Sequence, residues 1–522
     1  MLFHTWEFGI FFAIVYTGYL LLRRTRYCAG WLFLASYLFY GWWNPVYLCL
    51  IIASTFTDYF MVRFITRPRE RGWRLYPVCL LPIAASITVT YLAGPPGGRF
   101  ILWRGWPPTW LLVTAALLPL VPLGLQRVLR TELGLRRLYL VLSLAGNLGM
   151  LLYFKYAGFL TTNFNWLSDQ FGWAARSPVL DVVLPVGISF FVFQSLTFTL
   201  DVYLGKLQPD YNLIRYAAFH SFFPQLVAGP IERASHLLPQ FATPRQVTLS
   251  GVADGLSLFV VGLFKKIALA DFLALYVDHV YGDPASFGGW ELLFATYAFA
   301  WQIYFDFSAY SDMARGLAMA MGFELMINFN NPYTSSSLQD FWRRWHISLS
   351  TWYRDYVYIP LGGNRHGAWR MYRNIIITMV VCGLWHGANW TFVVWGFLHA
   401  VGRLGNDLLE KLAPWRALPR LVKVVLVFHF VCWTWVFFRA SSVEQAWLIT
   451  TRIASAAPGI CEVPVVLGLL VAAVWLYQLM FESRLRSVLE AAPVRIGLVI
   501  AMLLYLMTFV SARHAQFIYF QF

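Results

Sequence analysis

Apolar stretches long enough to cross a lipid bilayer recur along this chain from one end to the other. They fall at residues 8–22, 31–43, 46–64, 75–92, 110–125, 138–154, 182–204, 255–273, 292–310, 375–385, 390–401, 422–438, 463–479 and 496–509. A helix needs roughly 20 apolar residues to span the hydrocarbon, so the shorter runs are read as tilted, re-entrant or merged with a neighbour, giving roughly 11–14 spans. Hydrocarbon offers no water to hydrogen-bond the backbone, and a helix satisfies its own N–H and C=O groups. The fold class expected is therefore an all-α polytopic membrane protein. Composition agrees: 59% of the 522 residues are hydrophobic and 12% are charged. That balance excludes disorder and argues against an ordinary soluble enzyme. With no low-complexity linker and no internal repeat, residues 1–522 read as a single transmembrane domain.

The net charge of +15 invites a nucleic-acid partner, but its distribution points elsewhere. Basic residues gather in short connections, at 23–26, 63–74, 127–137, 265–266 and 365–373. This is the positive-inside pattern, which sets membrane orientation and implies no nucleic acid. It places the first connection in the cytosol and the N-terminus outside, and the first apolar segment reads as a retained span. Six cysteines lie scattered without metal-ligand spacing, so no metal site is expected.

Polar residues inside the apolar runs are the candidates for chemistry, because ionisable groups at membrane depth are costly. In Cys382-Gly383-Leu384-Trp385-His386-Gly387-Ala388-Asn389-Trp390 a histidine stands within a hydrophobic run. On a continuous helix Cys382, His386 and Asn389 share one face, and Asn389 is placed to orient the imidazole. Asp306 in the run at 292–310 and Asp312 just past it lie close to hydrocarbon depth, and Asp201 and Glu232 belong to the same class. Residues 331–373 are too polar to span and too long for a turn. There Leu338, Phe341, Trp342, Trp345, Leu349, Trp352 and Tyr356 recur at three- and four-residue intervals, predicting one amphipathic interfacial helix. One of Ser335, Ser336 and Ser337 is suited to cap its start. Arg343, Arg344 and Arg365 offer partners for phosphate, whether of membrane lipids or of a nucleotide-bearing donor. His346 sits at the border of the apolar face.

These motifs, taken in order, resemble the membrane-bound O-acyltransferase family in its bacterial branch. The likeness rests on Leu184-Pro185-Val186-Gly187-Ile188-Ser189-Phe190-Phe191, Phe223-Pro224-Gln225-Leu226-Val227-Ala228-Gly229-Pro230 and Tyr304-Phe305-Asp306-Phe307-Ser308-Ala309-Tyr310-Ser311-Asp312-Met313. It continues in Phe341-Trp342-Arg343-Arg344-Trp345-His346, Leu361-Gly362-Gly363-Asn364-Arg365 and Gly383-Leu384-Trp385-His386-Gly387-Ala388-Asn389. The resemblance implies a barrel of tilted transmembrane and re-entrant helices around a central tunnel, and an O-acetyltransferase activity. His386 takes the catalytic role, His346 is a second functional position, and Asn389 and Asp306 support them. Acetyl-CoA is the implied acyl donor, with no cofactor bound. The implied acceptor is alginate or a similar exopolysaccharide, reached through a periplasmic or membrane-anchored acetyltransferase partner, with the chain multi-pass in the bacterial inner membrane. A further hydrophobic hairpin at 75–125 departs from the family pattern, and 331–373 is expected to be a re-entrant cytosolic segment. A transporter using the histidines as a proton relay, or a non-enzymatic scaffold of a secretion complex, are the readings from other classes. The absence of duplicated halves with paired broken helices argues against the transporter.

Overall fold

The computed structural model describes residues 3–67, 131–179, 182–209, 212–460, 462 and 464–509. The expected hairpin at 75–125 lies outside them. The described residues are helical, with one isolated bridge between Phe287 and Ile460. They form two compact units, Met1–Gly255 with Leu317–Leu325, and Leu256–Gly316 with Met326–Phe522.

The first unit is built from α1 (Trp6–Leu22), α2 (Cys28–Gly41), α3 (Leu48–Thr66), α4 (Glu132–Phe171), α5 (Ile188–Tyr203) and α6 (Leu213–His220). Helix α3 packs on α4 and α5, and α6 on α2. The outer side of α1 presents Ile10, Ile14 and Leu21. Apolar side chains in such rows suit lipid and not water. The inner faces hold a polar network. Asp58 on α3 is fully buried and accepts from Ser143 Oγ at 2.7 Å, Asn147 Nδ2 at 2.7 Å and Ser54 Oγ at 3.3 Å. Ser54 lies 2.9 Å from Ser195, whose hydroxyl meets His220 Nε2 at 2.8 Å, while Thr55 meets His220 Nδ1 at 2.8 Å. Three helices thus each place an i, i+4 polar pair at one level: Ser54 and Asp58, Ser143 and Asn147, Ser195 and Thr199. After the short helix Phe223–Leu226, the chain runs through buried irregular residues to Glu232, which bonds His236 at 2.8 Å.

The second unit contains most of α7 (Leu249–Phe264), then α8 (Asp271–Gly282) and most of the 32-residue α9 (Gly289–Ala320). It continues through α10 (Leu338–Arg344), α11 (Ile347–Tyr353), α12 (Ala368–His386), α13 (Trp390–Leu409), α14 (Arg420–Arg439), α15 (Val443–Ala454), α16 (Val465–Phe481) and α17 (Ala492–Phe509). A π-helical segment, Lys265–Ala270, joins α7 to α8. Lys266 there reaches Asp271 at 2.9 Å and Asp306 of α9 at 2.8 Å, and Lys265 pairs with Asp312 at 2.7 Å. Asp306 and Asp312 therefore find lysines within their own unit. The core around them is aromatic, with Trp301, Trp345, Trp395 and Trp435 fully buried.

Among the described residues, α3, α4 and α14 are long and apolar enough to cross a membrane by length and composition, and α1, α2 and α5 are shorter apolar helices. The apolar run at 292–310 belongs to a helix extending well beyond it, and the run at 255–273 is divided by the π segment. Hydrogen bonds between membrane helices are worth little individually, about 0.6 kcal/mol on average. Stranding several buried donors is another matter, at about 1–3 kcal/mol each. Asp58→Ala strands those of Ser143 and Asn147. It is expected to lower the unfolding free energy by about 3 kcal/mol, read as a lower melting temperature and reduced monodisperse yield in detergent.

Candidate active site

The amphipathic pattern across 338–356 predicts one helix, and the chain instead forms two of seven residues each. Ser337 caps α10 by accepting from Asp340 N. The helix stops at Trp345, in extended conformation, and His346 adopts the left-handed region at φ 42° and ψ 56°. That conformation costs a non-glycine residue about 1 kcal/mol or more and persists only when its surroundings impose it. Two backbone hydrogen bonds bracket the break, Asn330 N to Arg344 O at 3.0 Å and Ile347 N to Asn328 O at 2.9 Å.

The same segment fixes the imidazole. His346 Nδ1 lies 3.1 Å from Asn328 Oδ1, which also accepts from Ser348 Oγ at 2.9 Å and Ser348 N at 3.3 Å. A backbone N–H can only donate, so the amide oxygen faces this cluster and the amide nitrogen turns to Ser311 Oγ, 3.2 Å away. Nδ1 of His346 must then carry the hydrogen, leaving the lone pair on Nε2. That atom is buried with no hydrogen-bond partner among the described residues. The Phe307 ring stands perpendicular to the imidazole, with centroids 4.6 Å apart.

His386 ends α12 and is buried. The Trp385 ring lies 6.0 Å from that of His346 and 4.9 Å from that of His386. Trp395 lies 5.1 Å beyond His386, and 4.7 Å past it is a third buried imidazole, His399. His399 escaped the sequence reading, as did Asn328. The first carries the same signal as His386, an ionisable residue within an apolar run, and could have been found by it; the second acts from outside any periodic element. His399 Nε2 is held by Thr434 at 3.0 Å. The helices carrying these rings, α12 and α13, approach through glycines. A Cβ on Gly383 would stand 2.2 Å from Phe392 O, and one on Gly396 would stand 2.3 Å from Met379 O. Small residues at such a crossing let two backbones touch.

Asn389 differs from its expected setting. The helix ends at His386, Gly387 is extended at φ −162°, and Asn389 begins the next helix as its N-cap. Its Oδ1 accepts from Thr391 N at 3.1 Å and its Nδ2 donates to Ser441 O at 3.1 Å. Both amide groups are thus engaged away from His386, and Asn389 does not share a helical face with it. Cys382 is buried one turn before His386. Asp306 contacts Lys266, as described. Arg344 is braced by Asp340 at 3.0 Å and by Glu482, whereas Arg343 and Arg365 are exposed and pair with no carboxylate among the described residues. Arg365 follows Gly362 and Gly363, both at positive φ in the expected tight turn. Asn374 Nδ2 donates to the carbonyls of Leu361 and Gly363 and closes that turn.

Helices with apolar outer faces, and imidazoles sealed among indole rings, define a membrane protein that keeps acid–base groups in its interior. Residues 146–443 match the membrane-bound O-acyltransferase family. The chain belongs to that family and is an acyltransferase. It is 37% identical over 452 residues to the "Probable alginate O-acetylase AlgI" of Azotobacter vinelandii, covering 86% of this chain and 77% of that one. It is 31% identical to the peptidoglycan O-acetyltransferase of Helicobacter pylori, over 84% of this chain and 76% of the relative. The teichoic acid D-alanyltransferase of Bacillus subtilis is 27% identical, over 50% of this chain and 70% of its own.

Losing an N-cap costs about 1 kcal/mol, and serine caps nearly as well as asparagine. Asn389→Ala is therefore expected to lower the melting temperature of the purified protein modestly and Asn389→Ser to leave it close to the parent. A large loss of acyl transfer in Asn389→Ser would show that the amide acts on the chemistry beyond capping.

Proposed function

We propose that this chain takes acetyl groups from acetyl-CoA on the cytosolic side and passes them across the bacterial inner membrane for O-acetylation of a secreted polysaccharide, alginate or a similar exopolysaccharide. The observation that carries the proposal is His346 Nε2, a buried imidazole nitrogen whose tautomer Asn328 sets and whose lone pair has no partner among the described residues. The comparisons support it at a coarser level. The relatives' names put acyl groups on alginate, peptidoglycan and teichoic acid, and their common denominator is a polymer outside the cytosol.

The chemistry follows from that nitrogen. An acceptor hydroxyl hydrogen-bonded to Nε2 gives up its proton as its oxygen attacks the thioester carbonyl. The tetrahedral oxyanion collapses, the C–S bond breaks, and the leaving thiolate takes the proton back from the imidazolium. His386, which shares the Trp385 ring as a neighbour with His346, is the second imidazole of the site and the one the family motif makes catalytic. Asn328 is a positioning residue, and Asp306 supports the site by anchoring α9. Arg343 and Arg365 are proposed to hold the phosphates of the donor, with Arg344 bracing the segment that carries them. In this reading the helices form a barrel around a tunnel, and residues 331–373 are a re-entrant element open to the cytosol. The final transfer to sugar hydroxyls belongs to a periplasmic or membrane-anchored acetyltransferase. A hydrated polymer entering an apolar tunnel would lose solvent from each hydroxyl at about 1–3 kcal/mol.

His346→Ala and His386→Ala are each expected to purify with near-parental melting and to reduce acetyl ester on the polymer by roughly a hundred-fold or more. Normal acetylation by either folded variant removes that histidine from the mechanism, and normal acetylation by both would leave the chain a scaffold. In vesicles with internal acetyl-CoA and external polymer, ester formation is expected only when the second acetyltransferase is added. Efficient transfer without it would make this chain the complete enzyme.

A further inference from the structure

The first unit contains a cleft of about 180 Å³ that the acyl-transfer reading leaves unused. Its wall brings together three separate stretches of chain: the connection after α1, the start of α6, and residues 240–245 with Phe323. Four arginines line it, Arg23, Arg26, Arg215 and Arg245, and none of the lining residues among those described is acidic. Arg23, Arg26 and Arg245 pair with no carboxylate among the described residues. Arg245 is held in place without being neutralised. Its Nε donates to Gly322 O at 2.9 Å and its guanidinium lies over the Phe323 ring at 6.0 Å. Gln240 ties the same wall together, donating to Glu324 O and accepting from Glu324 N, both at 2.9 Å.

The guanidiniums of Arg23, Arg26 and Arg245, brought to one concavity, repel each other unless something anionic shares the space. Guanidinium is the side chain whose planar fork matches phosphate oxygens. The volume discriminates between anions. Sites for drug-sized ligands run to ~300–1,000 Å³, so this cleft matches a phosphoryl group with a small substituent. We propose that the cleft is a binding site for a phosphate ester of headgroup size, held by Arg23, Arg26, Arg215 and Arg245. The same chemistry is offered by an anionic lipid headgroup and by a small soluble phosphate ester. Arginine pockets beside membrane helices are suited to the first.

The test uses the full chain purified in neutral detergent, with bound ligand counted by native mass spectrometry. The protein is titrated with phosphatidylglycerol, phosphatidylcholine and glycerol 3-phosphate. At least one of the two anions is expected to bind at a roughly ten-fold lower concentration than phosphatidylcholine. Arg215→Gln with Arg245→Gln is expected to abolish that preference. Arg24→Gln removes the same charge from the connection after α1 without lining the cleft, and is expected to leave binding and melting unchanged. Phosphatidylglycerol that glycerol 3-phosphate cannot displace assigns the site to lipid, and displacement assigns it to a soluble ester. The proposal is overturned if neither anion binds better than phosphatidylcholine, or if the preference survives in the folded double variant. If that variant fails to fold, Arg23→Gln with Arg26→Gln, in the more exposed wall, decides the question by the same readout.

Discussion

Three ionisable side chains, Lys266, Asp271 and Asp306, meet within 2.9 Å in the second unit with almost no exposure to solvent. Breaking a buried pair of this kind costs about 3–5 kcal/mol, because the survivor is left charged and unmatched. The contact therefore fixes the rotation of α9 about its own axis. With Asp306 turned to Lys266, the next residue, Phe307, packs perpendicular to the His346 ring. One turn further, Ser311 accepts from the Asn328 amide. Asn328 in turn sets the hydrogen on His346 Nδ1. The tautomer of a site imidazole is thus linked through one helix to an ion pair that it never touches.

The first unit reaches internal satisfaction by a different route. It buries Asp58 among hydroxyls and an amide, with contributions from three helices and His220 at the end of a fourth. Both solutions answer the same demand, that polar groups enclosed by apolar helices find partners within the protein. The ion pairs use few, strong contacts. The hydroxyl network uses many weak ones, each an i, i+4 pair that a helix supplies without distortion.

Much of the helical framework was legible in the residues. The runs at 46–64 and 422–438 became Leu48–Thr66 and Arg420–Arg439, because sustained apolar sequence in a membrane chain admits little besides helix. The break at His346 was not legible. Trp345 and Leu349 are both buried, so the apolar period reads straight through a reversal of backbone hand. The end of α12 was marked, by Gly387 after the last helical residue and by Asn389 as a cap, both ordinary boundary signals. Treating 382–389 as one helix overrode them and put Asn389 beside His386. Asn328 could not be found by periodicity at all. Its hold on His346 spans 18 positions and depends on an irregular segment lying alongside the break.

The segment Lys265–Ala270 is helix wound one residue slack, its N–H groups reaching back five positions where an α-helix reaches four. A chain shorter by one residue there would close into uninterrupted α-helix. The residues beyond would keep their facing, because the slack turn already absorbs the extra residue, and Asp271 would stand four positions from Lys266 in place of five, still on the same side of the helix. Length at this point can therefore change by one residue, whereas a residue lost from plain α-helix would turn everything beyond it by about 100°. The slack turn is a length of rope let out in a taut line: it can be taken in without disturbing what α8 and α9 already hold.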